Sequence, residues 1–318
     1  MTAPVLVGTC SWADKTLVDS GWYPPQAKTP EERLRYYAEQ FPIVEVDSSY
    51  YGLPSERNAA LWVERTPEDF VFDVKSYALF THHPAAVRSL PKDVREALPT
   101  ARQEKRNVYY NDLPSEIRDE MWQRFVDALL PLDSAGKLGT VLFQFPPWFL
   151  PGRQSHEYIL ETKARLGQYT MAVELRNNLW LSEQNQEPTL AFLSENGISY
   201  VCVDEPQGLR SSVPPITAVT APIALVRMHG RNVETWTRKG IGAAERFDYL
   251  YSAEELAAWV PRVRRLAEEA RQVHVLLNNC HQDYAVRNAR EMAEMLGAVH
   301  PRREAEDTET AATQERLL

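Results

Sequence analysis

Eight short apolar runs rich in β-branched residues recur along the chain, and such runs are typical of buried β-strands. The segments between most of them have helical patterns. One segment has Ile117, Met121 and Phe125 at a spacing of four residues, which places them on one helical face. Another begins with Ser252 and has Glu255 three residues later, the signature of a capping box. The predicted strands are Val5–Cys10, Ile43–Ser49, Phe70–Ser76, Gly139–Phe145, Met171–Arg176, Ser199–Asp204, Ala224–Gly230 and Val273–Asn279.

The alternation of strands and helices indicates the fold class. Strands that alternate with helices pair in parallel through right-handed crossovers. Eight such units predict an α/β fold in the form of a single (β/α)8 barrel of the TIM type, because a closed barrel accommodates eight units more readily than an open sheet. The alternative is a doubly wound open sheet in which some strands are wrongly assigned. We expect the barrel domain to cover residues 1–300.

Two regions stand outside this repeat. Pro84–Ser115 is long, charged and punctuated by prolines, and it follows the third predicted strand, where active-site loops of barrels occur. It could equally be a surface excursion. Residues 301–318 are charged and poor in aromatic residues, so we expect a disordered tail there.

Charge and composition narrow the class of protein. The net charge is −9, whereas a protein held on DNA by a broad basic face usually has a basic balance, so nucleic-acid binding is disfavoured but not excluded. Cys10, Cys202 and Cys280 lie far apart in the sequence, which fits a reducing cytoplasm better than a disulfide framework. We find no signal-peptide pattern and no apolar stretch of membrane-spanning length, so we expect a cytoplasmic protein that does not enter membranes.

Polar residues interrupt the predicted strands at or near their C-terminal ends, on the side where barrel enzymes place their chemistry. Strands of a parallel barrel are covered on both faces and should be almost entirely apolar. Because a lone buried charge is very unfavourable, these groups must pair or be hydrated. They therefore predict either a polar ligand pocket in the barrel mouth or a set of ion pairs that fills the barrel. The residues are Glu45, Asp47, Asp73, Lys75, Gln144, Glu174, Arg176, Asp204, Arg227, His229 and Asn278.

The acidic residues and the histidine suggest acid–base or metal chemistry. Glu45, Glu174 and His229 are candidates for acid–base catalysis. Asp47 and Asp204 are candidate ligands for one divalent metal, Mg²⁺, Mn²⁺ or Zn²⁺, although no motif of fixed ligand spacing accompanies them.

The cations, amides and aromatic residues suit substrate binding. Lysine and arginine side chains can hold a phosphate or a carboxylate, and aromatic rings after the strand ends can stack on a sugar. Cations mixed with carboxylates favour a small anionic or sugar-like ligand over a bare multi-metal cage. His82 and His83, on the loop after the third strand, are either site residues or plain surface residues. The substrate-binding candidates are Lys75, Gln144, Arg176, Arg227, Asn278, Trp12 and Tyr50.

Several short motifs occur in order between Gly8 and Leu296, among them GTCSW, VEVDSSYYGLPS, LGTVLFQFPPWF, VELRNNLW and VRMHG. Together they resemble the YecE-like family, also described as domain of unknown function 72. The resemblance implies a TIM-type barrel and an intracellular protein. It also implies that the mouth residues are Glu45, Lys75, Gln144, Glu174, Arg176, His229 and Asn278.

The resemblance implies no established reaction. The family has been likened to endonuclease IV and to sugar isomerases, which are metal-dependent barrels. Where the family commonly has asparagine, this chain has Asp47, which adds a negative charge. Its strand ends are also poor in histidine, so a trinuclear zinc cluster like that of endonuclease IV is not expected.

Three functions stay open on the sequence. The first is an enzyme, a metal-assisted hydrolase or isomerase, that binds a phosphorylated or polyhydroxylated substrate in the mouth. The second is a nucleic-acid binding or processing protein similar to endonuclease IV, which needs a basic rim. The third is a noncatalytic protein that binds a small anion. The basic rim would consist of Arg88, Lys92, Arg95, Arg102, Lys105 and Arg106.

Overall fold

The chain folds into a closed barrel of eight parallel strands, and the computed structural model describes residues 2–298. Each barrel strand pairs with the next barrel strand along the chain, and the first strand closes the barrel by pairing with the eighth as well as with the second. The predicted barrel is therefore confirmed and the open sheet is wrong. The predicted tail, residues 301–318, lies outside the described residues. The barrel strands, numbered first to eighth, are Val5–Cys10, Ile43–Val46, Val71–Lys75, Leu138–Gln144, Met171–Glu174, Ser199–Asp204, Ile223–Met228 and Gln272–Leu277.

Helices separate most of these strands, as the barrel pattern predicts. Thr29 and Glu32 form a capping box around Pro30, which occupies the first position of its helix. Ser252 and Glu255 form the predicted capping box of a later helix. Between residues 2 and 298, none of the helices combines the length and the hydrophobicity needed to cross a bilayer. The longer helices are Pro30–Ala38, Glu56–Glu64, Ser115–Ser134, Arg153–Leu166, Gln186–Glu195, Ala253–Glu269 and Tyr284–Leu296, and the shorter ones outside the region after the third strand are Lys15–Asp19, Val233–Trp236 and Ala243–Arg246.

Several strands end earlier than the sequence pattern predicts. The second strand ends at Val46 and the fifth at Glu174, so Asp47 and Arg176 lie in the loops that follow. The seventh strand likewise ends one residue before His229. A loop residue next to a strand can approach solvent while the barrel fixes its backbone. The mouth is therefore built from strand ends together with the first residues of the loops.

The region after the third strand is a folded insert, which we define as residues 84–114. Ala85–Ala86 pairs antiparallel with Asn107–Val108, and the short helices Lys92–Ala97 and Thr100–Gln103 lie between these two strands. Val94 and other apolar side chains of the insert are buried. The predicted long loop is thus confirmed in position, and it has local structure of its own.

Candidate functional site

An arginine joins two carboxylates in the closed interior of the mouth. Arg227 Nε and Nη2 donate to the two oxygens of Glu45 at 2.8 and 2.6 Å, and Nη1 donates to Glu174 Oε2 at 2.5 Å. All three side chains are 0 % exposed. Every nitrogen of the guanidinium is therefore engaged with a glutamate. The prediction that Arg227 holds a substrate anion does not fit these contacts.

Glu174 is the meeting point of three donors. Besides Arg227, its carboxylate accepts hydrogen bonds from Arg176 Nη1 at 2.8 Å and from His229 Nε2 at 3.1 Å. Burial raises the pKa of Glu174, but the neighbouring Arg227, His229 and Arg176 outweigh burial and hold that pKa well below its ordinary value. Glu174 is therefore an ionised carboxylate at the centre of the network, and its low pKa makes it a weak base.

Asn278 fixes the proton position on His229. Its Nδ2 donates to His229 Nδ1 at 2.8 Å, so the imidazole carries its proton on Nε2, which faces Glu174. Burial lowers the pKa of His229 to about 4, because charging an enclosed ring costs more than the attraction of Glu174 returns. The ring is therefore neutral at pH 7, and the role of Asn278 is to orient His229. We call Glu45, Glu174, Arg227 and His229 the inner layer.

Two cations lie above the inner layer and reach solvent. Lys75 Nζ lies 3.2 Å from Asp47 Oδ1 and 4.8 Å from the centre of the Tyr50 ring. The guanidinium of Arg176 lies 4.6 Å from the centre of the Trp236 ring. The side chains of Lys75 and Asp47 are 13 % and 28 % exposed, and that of Arg176 is 10 % exposed. Contact with an aromatic face positions both cations. We call Lys75, Asp47 and Arg176 the outer layer.

Burial reduces the negative charge of the mouth at neutral pH. Glu205 Oε2 lies 2.9 Å from Arg176 Nη1, and burial raises the pKa of this carboxyl to about 8. Burial also raises the pKa of Glu45 to about 7, against the opposing effect of Arg227. The fully charged groups at pH 7 are then the cations Lys75, Arg176 and Arg227 and the carboxylates Asp47 and Glu174, whose pKa values the neighbouring cations lower against the effect of burial.

His83 and exposed aromatic rings form the rim of the mouth. The His83 ring packs edge-on against Tyr50 and Trp148, with ring centres 5.5 and 5.7 Å apart, and Trp148 is 59 % exposed. Burial, together with the charges of Lys75 and Arg176, lowers the pKa of His83 to about 3. His83 is therefore uncharged at neutral pH. Of the two histidines on this loop, His82 and His83, it is the one that lies at the mouth.

Asp204 lies in a different set of contacts from the other predicted residues. Its carboxylate accepts two bonds from Arg231, at 2.8 and 2.6 Å, one from Tyr251 Oη at 2.8 Å and one from Trp259 Nε1 at 2.6 Å. A carboxylate accepts about four hydrogen bonds, so these donors leave no site for a metal. The next residue, Glu205, is the acid whose side chain reaches the mouth, and it was not among the site residues predicted from the sequence. Within residues 2–298, no group of three or more His, Cys, Asp or Glu side chains could hold a metal ion.

Trp12, predicted to stack on a substrate, belongs to the hydrophobic core. It is 8 % exposed, and its ring packs edge-on against Trp62 and Phe72 at 5.9 and 6.4 Å. Gln144, in contrast, is half-buried at the end of the fourth strand, in register with Glu174 of the fifth. Gln144 therefore lies near the mouth, as predicted, whereas Trp12 does not line it.

A second buried pair lies closer to the N-terminal ends of the strands. His274 Nδ1 is 2.9 Å from Asp73 Oδ2, and both side chains are 0 % exposed. The other oxygen of Asp73 accepts bonds from Thr140 N at 2.6 Å and from Thr140 Oγ1 at 2.9 Å. Asp73 is therefore not part of the mouth, and its partner His274 was not predicted from the sequence. The available signal was that a carboxylate inside an apolar strand needs a partner.

Known proteins share this architecture. The family described as "Protein of unknown function DUF72" matches residues 6–314. The UPF0759 protein YunF of Bacillus subtilis is 32 % identical over 296 residues, which cover 92 % of this chain and 94 % of that protein. The solved structure of a DUF72 family protein from Thermotoga maritima is 31 % identical, with a TM-score of 0.71 and coverage of 92 % of this chain and 99 % of that chain. The structure of a DUF72 family protein from Enterococcus faecalis is 28 % identical, with a TM-score of 0.73 and coverage of 93 % and 96 %.

Proposed function

We propose, for a chain that belongs to DUF72, a family of proteins of unknown function, that the barrel mouth binds a small anionic or polyhydroxylated ligand. The observation that carries this proposal is the pair of partly exposed cations, Lys75 and Arg176, each held over an aromatic ring. Ammonium and guanidinium groups suit the oxygens of a phosphate or a carboxylate. The raised pKa values of Glu45 and Glu205 lessen the negative charge around these cations, and that favours an anion at this opening.

The rim supports a ligand that also carries hydroxyl groups. Tyr50 and the exposed Trp148 offer ring faces and edges against which a sugar can pack. The half-buried amide of Gln144 can donate to or accept from a hydroxyl group. We therefore expect the acidic group of the ligand between Lys75 and Arg176 and its hydroxylated body against the rim.

We further propose that the ligand is a substrate, with Glu45 as the acid–base group. Its pKa of about 7 lies where proton transfer at neutral pH is most effective. Asp47, whose charge helps to raise the pKa of Glu45 and whose side chain is partly exposed, gives that proton a route to the mouth. Glu174 and His229, the other two predicted catalytic residues, are better suited to holding the inner layer, because Glu174 stays ionised and His229 stays neutral.

A noncatalytic small-anion binding protein is the alternative that uses the same residues. It differs from an enzyme only in leaving the bound molecule unchanged. Metal-assisted chemistry has less support. Asp204 is one of the two predicted metal ligands, and its carboxylate already accepts four hydrogen bonds. The cytoplasmic location that we propose is in keeping with the three free cysteines.

A ligand screen by thermal unfolding tests this function. A hexose 6-phosphate, the free hexose and inorganic phosphate are each added to the wild-type chain and to Lys75→Gln. A ligand that binds the folded state raises the melting temperature, so we expect the largest rise with the sugar phosphate and its loss in the variant. Equal rises in both proteins would contradict binding at the mouth. Phosphorus NMR of the same mixtures then separates an enzyme, which changes the signal with time, from a binding protein.

A further inference from the structure

We propose that the insert contains a second anion-binding site, separate from the mouth, that takes a compact polyphosphate. A cavity of about 580 Å³ opens between the short strands and the short helices of the insert. Its charged lining is entirely basic, and two neutral polar side chains complete its polar surface. The basic residues are Arg88, Arg95, Lys105 and Arg106, and the neutral polar ones are Gln103 and Asn107.

The cations of the cavity differ from the other basic residues of the insert in their pairing. Lys92 lies 3.8 Å from Glu96, and Arg102 lies 2.7 Å from Asp112, so each has a carboxylate beside it, and neither lines the cavity. Over residues 2–298, no ion pair within 4.0 Å joins any of the four cavity cations to a carboxylate. In a chain of net charge −9, four unpaired cations around one cavity form a local concentration of positive charge.

Contacts inside the insert shape this cavity without a ligand. Val87 N donates to the carbonyl of Arg106 at 3.1 Å, next to the antiparallel pair of short strands. Gln103 Nε2 donates to the carbonyl of Leu98 at 2.6 Å, which ties one short helix to the other. Arg95 is half-buried on the first of these helices. The backbone around the cavity is therefore fixed before a ligand binds, and the exposed side chains of Arg88, Lys105 and Arg106 are the part that a ligand must order.

Charge and size favour a compact polyphosphate as the occupant. Four like charges around one cavity repel each other, and a ligand with several negative charges removes that repulsion. Arginine binds phosphate oxygens in pairs of hydrogen bonds, and about 580 Å³ lies within the range of roughly 300–1,000 Å³ found for small-molecule pockets. A nucleic-acid duplex needs a basic stripe that follows its backbone. Here the neighbouring Lys92 and Arg102 are already paired, so the unpaired charge is confined to the cavity.

Calorimetric titration of the full-length chain with inorganic triphosphate at low salt tests this site. The double variant R88Q/R106Q should bind triphosphate at least tenfold more weakly than the wild type. Lys92→Gln is the matched control, because it removes a positive charge from the same insert outside the cavity, and it should bind as the wild type does. Arg176→Gln should bind triphosphate at the insert as the wild type does and lose only the binding of sugar phosphate at the mouth, which separates this site from the mouth and from the function proposed there.

Three results would overturn the proposal. They are no binding of triphosphate by the wild type at millimolar concentration, an equal loss of affinity in Lys92→Gln and in R88Q/R106Q, or tighter binding of a short DNA duplex than of triphosphate. The last result would indicate a nucleic-acid surface in place of a compact site. Thermal unfolding checks that the double variant is folded. If it is not, the single variant Lys105→Gln replaces it and should weaken triphosphate binding several-fold.

Discussion

Arg227 and Glu174 lie 53 residues apart in the sequence and form an ion pair at 2.5 Å, with both side chains closed to solvent. A buried ion pair adds little net stability, but removing one partner is costly because the other charge is left uncompensated. Glu174 also binds Arg176, so the inner layer orients a cation of the outer layer. We therefore regard the inner layer, apart from Glu45, as a scaffold and the outer layer as the surface that meets a ligand.

The first prediction separates the two layers by their effect on stability. Glu174→Gln leaves Arg227 and Arg176 short of negative charge, and we expect it to lower the free energy of unfolding by about 3–5 kcal/mol. Arg176→Gln is the comparison, and we expect it to cost about 1 kcal/mol, because Glu174 keeps Arg227 and His229 as partners. Urea denaturation at pH 7 measures both. Equal losses in the two variants would contradict the division into layers.

The second prediction concerns the pH dependence of stability. The folded-state pKa values of Glu45 and Glu205, about 7 and about 8, lie above the ordinary value of 4.5. Between these values the folded chain holds protons that the unfolded chain has released, so the free energy of unfolding falls as pH rises. Buried His229 and His83, with pKa values lowered from 6.5 to about 4 and about 3, act in the opposite direction, but only below about pH 6.5. The net fall should therefore be clearest between about pH 6.5 and 8.

Melting temperatures at half-unit pH steps across this window measure the fall. Glu205→Gln keeps the uncharged form at every pH and should remove about half of the slope or more. Glu183→Gln changes an exposed carboxylate and should leave the slope as it is. A wild-type chain that becomes more stable from pH 6.5 to 8 would show that Glu45 and Glu205 are ionised in the folded state.

The third prediction concerns the buried pair of Asp73 and His274. A Cβ atom on Gly139 would lie 2.5 Å from Asp73 Oδ1, 2.8 Å from Val71 Cγ1 and 2.9 Å from His274 Cε1. Gly139→Ala should therefore lower the free energy of unfolding by about 1–3 kcal/mol, because the pair must shift to make room. Gly52→Ala is the control, since a Cβ there meets nothing within 4 Å. Chemical denaturation of both variants measures the difference, and an unchanged stability of Gly139→Ala would mean that the pair is not packed this tightly.

Much of the fold could be predicted because its signals are local. Apolar runs, a proline at a helix start and the capping box of Ser252 and Glu255 each depend on a few adjacent residues. The ends of the strands were less accurate, because the alternating pattern continues past the last ladder hydrogen bond. Asp47 and Arg176 were assigned to strands for this reason, and they lie in the loops that follow.

The partners within the site could not be predicted to the same extent, because they depend on long-range packing. The sequence places Asp204 and Glu205 side by side, and only the fold shows that Asp204 accepts bonds from Arg231 and Trp259 while Glu205 reaches Arg176. Burial decides the rest. The sequence does not distinguish a charged residue at a strand end that is closed to solvent from one that is partly exposed. Arg227 is of the first kind, and Lys75 and Arg176 are of the second.

Isothermal titration calorimetry with a hexose 6-phosphate at low salt tests the central claim, that the outer cations of the mouth bind an anionic ligand. The wild-type chain and Lys92→Gln should bind this sugar phosphate with the same affinity. The double variant K75Q/R176Q should bind at least tenfold more weakly, a loss of about 1.4 kcal/mol or more, while thermal unfolding shows it to be folded. Affinity that is unchanged in K75Q/R176Q would contradict the account, because the ligand would then not depend on the mouth.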